Sequence, residues 1–134
     1  MGRRNILFLI LFIIYLGLVA WCCFGHFESM PEVRRYILGI PTDKVVHFAM
    51  FLPFVILGYP ACDFLATGHR RGIIILVLVF LAGLLVALAT EKGQSLTSYR
   101  SGDPLDLAAD VTGLATGAVI VIATLLIKKR VTNR

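Results

Sequence analysis

Three short polar stretches in this chain carry residues capable of chemistry, and each abuts a long apolar run. The first, "DKVVHF", holds Asp43, Lys44 and His47; the second, "TEKGQ", holds Glu91 and Gln94. The third begins at Arg100 and continues through "SGDPLDLAAD", which contains Asp103, Asp106 and Asp110. A positioned imidazole or carboxylate can take up and return a proton. His47, Glu91, Asp106 and Asp110 are therefore the candidate catalytic residues. Lys44 and Arg100 can hold an anionic group, Arg100 through two parallel hydrogen bonds. Asp43, Gln94 and Asp103 complete a candidate substrate-binding set. Carboxylates such as Asp106 and Asp110 also suit a hard divalent cation, the one cofactor that these residues suggest.

Each acid has a plainer explanation to set beside this one. Asp103 precedes Pro104, the pattern of a helix N-cap followed by proline at the first helical position. Asp106 and Asp43 sit where a helix dipole favours negative charge. Asp110 does not yield to that account. It falls seven residues beyond Asp103, about 10 Å along a helix axis, where an acid turned toward lipid costs up to roughly 2.5–3.5 kcal/mol. Glu91 closes an apolar run, where the dipole opposes an acid, so it needs a cation such as Lys44 or Arg100. A shared polar site accounts for Glu91, His47 and Asp110 together.

The elements that position these residues are membrane helices. The chain has 134 residues, 58% of them hydrophobic, and a mean hydropathy of +0.87. Charged residues make up 16%, against about a quarter in soluble domains. Four apolar segments, at about 6–24, 45–62, 73–90 and 107–127, are each near the roughly 20 residues that cross a bilayer as a helix. The expected fold is an all-α bundle of four transmembrane helices in a single domain, 1–134. The first segment is too long for the apolar core of a secretory signal, and no small-residue cleavage motif follows it.

The net charge of +5 is a topology signal and not a nucleic-acid one. With four spans, the termini and the link 63–72 share one side. That side holds Arg3, Arg4, Arg70, Arg71, Lys128, Lys129, Arg130 and Arg134, eight of the 13 basic residues. Excess Lys and Arg mark the cytoplasmic face, so both termini are expected inside and all three polar stretches outside. Cys22 and Cys23 end the first helix and Cys62 ends the second at the opposite face, too far apart for a disulfide across the membrane.

Within the bundle, Asp103, Asp106, Asp110, Gly113 and Gly117 follow intervals of three and four and so form one helix stripe. Gly113-x-x-x-Gly117 permits close helix approach. Gly83, Ala87 and Glu91 form a similar stripe on the third helix, so helices three and four are expected to pack face to face. Pro53 should kink the second helix. In the first connection, Ser29 and Glu32 have capping-box spacing and Gly39 could end a short interfacial helix bearing Val33, Tyr36 and Ile37.

From Asp43 to Gly117 the chain resembles the VanZ-like family of small bacterial membrane proteins. The resemblance rests on "DKVVHF", then Glu91 and Gln94, then Arg100 followed by Asp103, Asp106, Asp110, Gly113 and Gly117. One departure is Asp110, where the commoner family residue is Asn. The resemblance implies an integral protein of the bacterial cytoplasmic membrane, in a family named for a member associated with resistance to the glycopeptide teicoplanin.

Three classes of function follow. The first is an outward-facing pocket that binds or acts on an envelope component, either a lipid or a cell-wall precursor. The second is a small proton-coupled transporter, which needs polar access from both sides, whereas the inner halves of these helices read as nearly featureless. The third is a non-catalytic module that binds a membrane partner. Oligomeric state does not follow from the sequence.

Overall fold

The computed structural model describes residues 1–25, 36–66, 68–96 and 103–132. Four helices account for most of them: α1 (Arg3–Phe24), α2 (Thr42–Cys62), α3 (His69–Ser95) and α4 (Pro104–Thr132). Among the described residues, all four are long and apolar enough to cross a membrane, and together they make an all-α bundle. A 3₁₀ turn, Asp63–Leu65, ends α2, and two short strands, β1 (Tyr36–Ile37) and β2 (Ile40–Pro41), lead into it.

Each helix runs past the apolar core read from hydropathy, α3 by several residues at both ends. Helical backbone bonds form whatever the side chains are, so hydropathy delimits the lipid-facing portion and not the helix. Glu91 consequently stands one turn inside α3. Asp103 caps α4 as expected: its Oδ1 accepts the backbone N–H of Leu105 at 2.9 Å, with Pro104 opening the helix.

The interfacial helix anticipated between the first two spans is not what its described end forms. Tyr36 pairs with Pro41 and Ile37 with Ile40 in an antiparallel hairpin. Its turn residues, Leu38 and Gly39, have φ of 52° and 81°, the left-handed pair that a tight two-residue hairpin turn requires. The glycine read as a helix stop therefore serves a hairpin. Ser29, Glu32 and Val33 lie outside the described residues.

Packing also departs from expectation in one respect. The glycine stripe of α4 lies against α2, the most extensive interface in the bundle. A Cβ on Gly113 would fall 2.5 Å from the Phe48 carbonyl oxygen, and one on Gly117 would fall 2.5 Å from that of Leu52. These are backbone-to-backbone approaches that only glycine permits. Gly83 of α3 does meet α4, but as a socket: a Cβ there would strike Leu114 Cδ2 at 2.5 Å. The difference is one of contact type. A backbone approach needs glycine on one helix and a bare carbonyl on the other, whereas Gly83 accommodates a side-chain knob.

The centre of the bundle is filled by Phe51, Phe54, Val55 and Leu114, each no more than 2% exposed. Phe12, Tyr15 and Phe54 cluster edge-on and stacked, which packs α1 against α2. α2 continues through Pro53 and Pro60. Proline leaves nearby helix carbonyls short of donors, and in the turn before Pro53 the Tyr15 hydroxyl donates to the Met50 carbonyl at 2.5 Å.

Candidate functional site

The α2–α4 seam that brings Gly113 onto Phe48 also aligns the polar residues one turn earlier. Both helices run in the same direction, so Lys44 and His47 of α2 meet Asp103, Asp106 and Asp110 of α4 rung by rung. At the rim, Lys44 Nζ donates to Asp103 Oδ2 and Asp106 Oδ1, each at 2.5 Å, and to Asp43 Oδ2 at 2.9 Å. One rung deeper, His47 Nδ1 lies 2.9 Å from Asp110 Oδ1. The other ring nitrogen, Nε2, is 3.6 Å from Asp106 Oδ2, beyond hydrogen-bond length. Asp106 thus presents one oxygen to the lysine and the other to the histidine.

Burial increases steadily along this line. Asp43 and Asp103 reach the surface, Asp106 and His47 are 7% and 2% exposed, and Asp110 is fully buried. Asp103 has two roles, as helix cap through one oxygen and ion-pair partner through the other. The Lys44 ammonium, followed by the Leu105 N–H, holds its carboxyl below the usual carboxylate range.

Glu91 borders the cluster from α3. The backbone N–H of Asp103 donates to its carboxylate, and Asp106, His47 and Asp110 are its electrostatic neighbours. Among the described residues, two buried carboxylate oxygens here, Glu91 Oε2 and Asp110 Oδ2, have no hydrogen-bond partner. A buried polar atom left unsatisfied costs about 1–3 kcal/mol, and natural folds keep few of them.

Of the residues read as a site from the sequence, Asp43, Lys44, Asp103 and Asp106 form one bonded cluster and His47 and Asp110 a bonded pair directly beneath it. The two meet at the 3.6 Å approach of His47 to Asp106, with Glu91 at the edge. Gln94 is turned elsewhere: it is buried and donates to the Cys23 carbonyl at 3.3 Å, which ties α3 to the end of α1. Arg100 lies outside the described residues. Gly113 and Gly117 support the network from beneath by letting α2 and α4 touch.

The acidic rim resembles a metal site, because one oxygen from each of Asp43, Asp103 and Asp106 lies within 4.8 Å of the others. Hard oxygen ligands of this kind suit Mg²⁺ or Ca²⁺. Yet the Lys44 ammonium already bonds to all three at 2.5–2.9 Å and stands where the cation would. A divalent ion there would have to expel it, so these residues do not fit a resident metal. Lys44 is likewise committed, and to meet an anionic ligand it must exchange one of its carboxylates.

A second polar cluster, at the opposite end of the bundle, was not legible as one in the sequence. Asp63 pairs with Arg4 and accepts from Asn5 Nδ2 at 2.5 Å. The same Asn5 nitrogen donates to the Pro60 carbonyl at 2.8 Å. The side chains of this cluster stand at the ends of α1 and α2, just outside the apolar segments 6–24 and 45–62. The available signals were a lone Asn at the head of an apolar run and the single acid on the basic face. No family profile, curated protein or solved structure matches this chain.

Proposed function

We propose that the chain is a VanZ-like protein of the bacterial cytoplasmic membrane. Both termini lie inside, and the Lys44–His47 end of the bundle faces out, where it binds or acts on a cell-envelope component. The observation that carries this reading is the buried His47–Asp110 pair beneath the Lys44–carboxylate rim. Orientation follows from the basic residues, eight of 13 of which fall at the other end.

The pair has the geometry of a proton carrier. An ionised carboxylate only accepts hydrogen bonds, so Asp110 fixes the imidazole proton on Nδ1 and leaves Nε2 as the basic nitrogen, facing Asp106. Such an arrangement takes a proton from a hydroxyl or amine that comes within reach of Nε2, and returns it. An asparagine carbonyl would accept the same Nδ1–H bond, so the departure from the family pattern at Asp110 preserves the contact.

Charge narrows the ligand. Asp43, Glu91, Asp103, Asp106 and Asp110 face one described ammonium, that of Lys44. A carboxylate surplus favours the donor-rich part of a cell-wall precursor, lipid head group or glycopeptide, its hydroxyl, amide and ammonium groups, over a phosphate. The transporter reading is weaker. Phe51, Phe54, Val55 and Leu114, at 0–2% exposure, separate the two polar ends with a packed apolar layer.

The test is binding and turnover by the purified protein, offered a lipid-linked peptidoglycan precursor and, separately, teicoplanin. Wild type is expected to engage at least one. His47→Ala and Asp106→Asn should lose that engagement while keeping their circular dichroism spectrum. Unchanged behaviour of the variants removes the shared site, and a wild type inert to both ligands removes the envelope reading.

A further inference from the structure

A concavity lies at the end of the bundle away from the acidic network. It is a groove of about 780 Å³ between the end of α2, the start of α3 and the end of α4. Its size falls within the roughly 300–1,000 Å³ typical of small-ligand clefts. The walls are apolar, including Ile73, Leu76, Ile122 and Leu125, and the mouth carries Lys128 and Lys129. Gly72 keeps one wall thin, since a Cβ there would already press on the Tyr59 hydroxyl at 3.2 Å.

We infer that this groove is a binding site for an anionic phospholipid, with one acyl chain along the α3–α4 walls and the head-group phosphate on Lys128 and Lys129. Three observations select that occupant. The groove opens on helices long and apolar enough to cross a bilayer, where a lipid chain is the solvent available to fill it. Its mouth pairs two cations with an apolar slot, the combination by which clefts between membrane helices take lipid head groups. The acid in its lining, Asp63, does not repel a phosphate, because Arg4 and Asn5 occupy both of its oxygens. The inference does not rest on the activity or the orientation proposed above.

The test uses the full chain in vesicles of phosphatidylcholine and phosphatidylglycerol, with brominated acyl chains placed on one lipid or the other. The single tryptophan, Trp21, sits on α1 toward the other end and reports the lipid there. A Trp21→Phe/Leu126→Trp variant moves the reporter to the groove. At position 126, phosphatidylglycerol should quench with a several-fold preference that Lys128→Gln/Lys129→Gln abolishes, while Trp21 in wild type shows a ratio near one. Six of the eight basic residues at that end remain in the double variant, which preserves the topology signal. Equal quenching by both lipids at position 126, or a preference that survives loss of the lysines, overturns the proposal. So does a dimer cross-linked through Ile122→Cys, which would put a second copy in the groove. Should the reporter variant fail to fold, native mass spectrometry of wild type and the lysine variant decides the same question. Retained phosphatidylglycerol that is lost with the lysines supports the site, and indifference to either lipid overturns it.

Discussion

The two polar ends of this bundle are built from similar residue types and behave differently. At the Arg4 end, one acid meets one guanidinium and one amide. Both oxygens of Asp63 are engaged, and Asn5 uses its amide on Pro60 and its carbonyl on the Gly2 N–H at 3.2 Å. At the Lys44 end, five carboxylates share one described ammonium and one imidazole, and two buried oxygens find no partner among the described residues. A balanced cluster spends its hydrogen-bonding capacity on the fold. An unbalanced one keeps capacity for something else. The Arg4 end is a fastener between α1 and α2, whereas the Lys44 end, among the described residues, carries the carboxylate surplus on which the proposed ligand site rests.

That contrast can be broken most severely from below. Gly113→Leu puts side-chain atoms where the α2 backbone runs, and should cost about 3 kcal/mol or more, dispersing the Lys44 network with the seam. Gly17→Leu, where nothing lies within 4 Å of the added carbon, should leave thermal unfolding in detergent unchanged. A stable Gly113→Leu protein would refute the seam.

Lys44→Met tests the rim. It leaves Asp43, Asp103 and Asp106 without their shared cation. The expected loss is about 2–3 kcal/mol, below the 3–5 for a fully buried pair because two of the acids reach water. Adding Asp106→Asn should restore part of it. If Lys44→Met unfolds like wild type, the rim is not held by the ammonium.

Asn5→Ala sharpens the comparison from the other side. It should lower stability by about 1–2 kcal/mol through lost hydrogen bonds, yet leave ligand engagement at the Lys44 end intact. A variant that is stable but inactive would show that the two ends are coupled, contrary to a simple fastener.

The smallest effect is in acid. Because Lys44 holds the Asp103 carboxyl below its ordinary range, the stability gained from this pair is present above the ordinary carboxylate value. It is lost as pH falls through the lowered one. Wild type and Asp103→Asn should therefore differ at neutral pH and converge at the acid end of a denaturation series. Equal stability at neutral pH would assign Asp103 to capping alone, because asparagine caps a helix as well as aspartate does.

Much of this was legible before any coordinates. Composition and segment length determine a four-helix membrane bundle, because in hydrocarbon a helix satisfies its own backbone. The Asp-Pro step announces the cap at Asp103, since a carboxylate accepts from the first free N–H and proline needs none. The interval of three and four among Asp103, Asp106, Asp110, Gly113 and Gly117 makes them one stripe, since helix geometry is local. Asp110 could be marked as inward-facing because lipid excludes its charge.

What the stripe faces is a different matter. Small residues on α3 and α4 suggested that these two would pair, but Gly113 and Gly117 lie on the carbonyls of Phe48 and Leu52 in α2. Nothing local to either stretch encodes that choice. Nor does the sequence reveal that Lys44 would fill the place of a metal, that Gln94 would turn to Cys23, or that Asn5 would reach Asp63 across 58 positions. Periodicity determines which residues share a face of a helix. Only the packing of one helix on another decides what that face meets, because such contacts depend on the shape and charge of both partners at once.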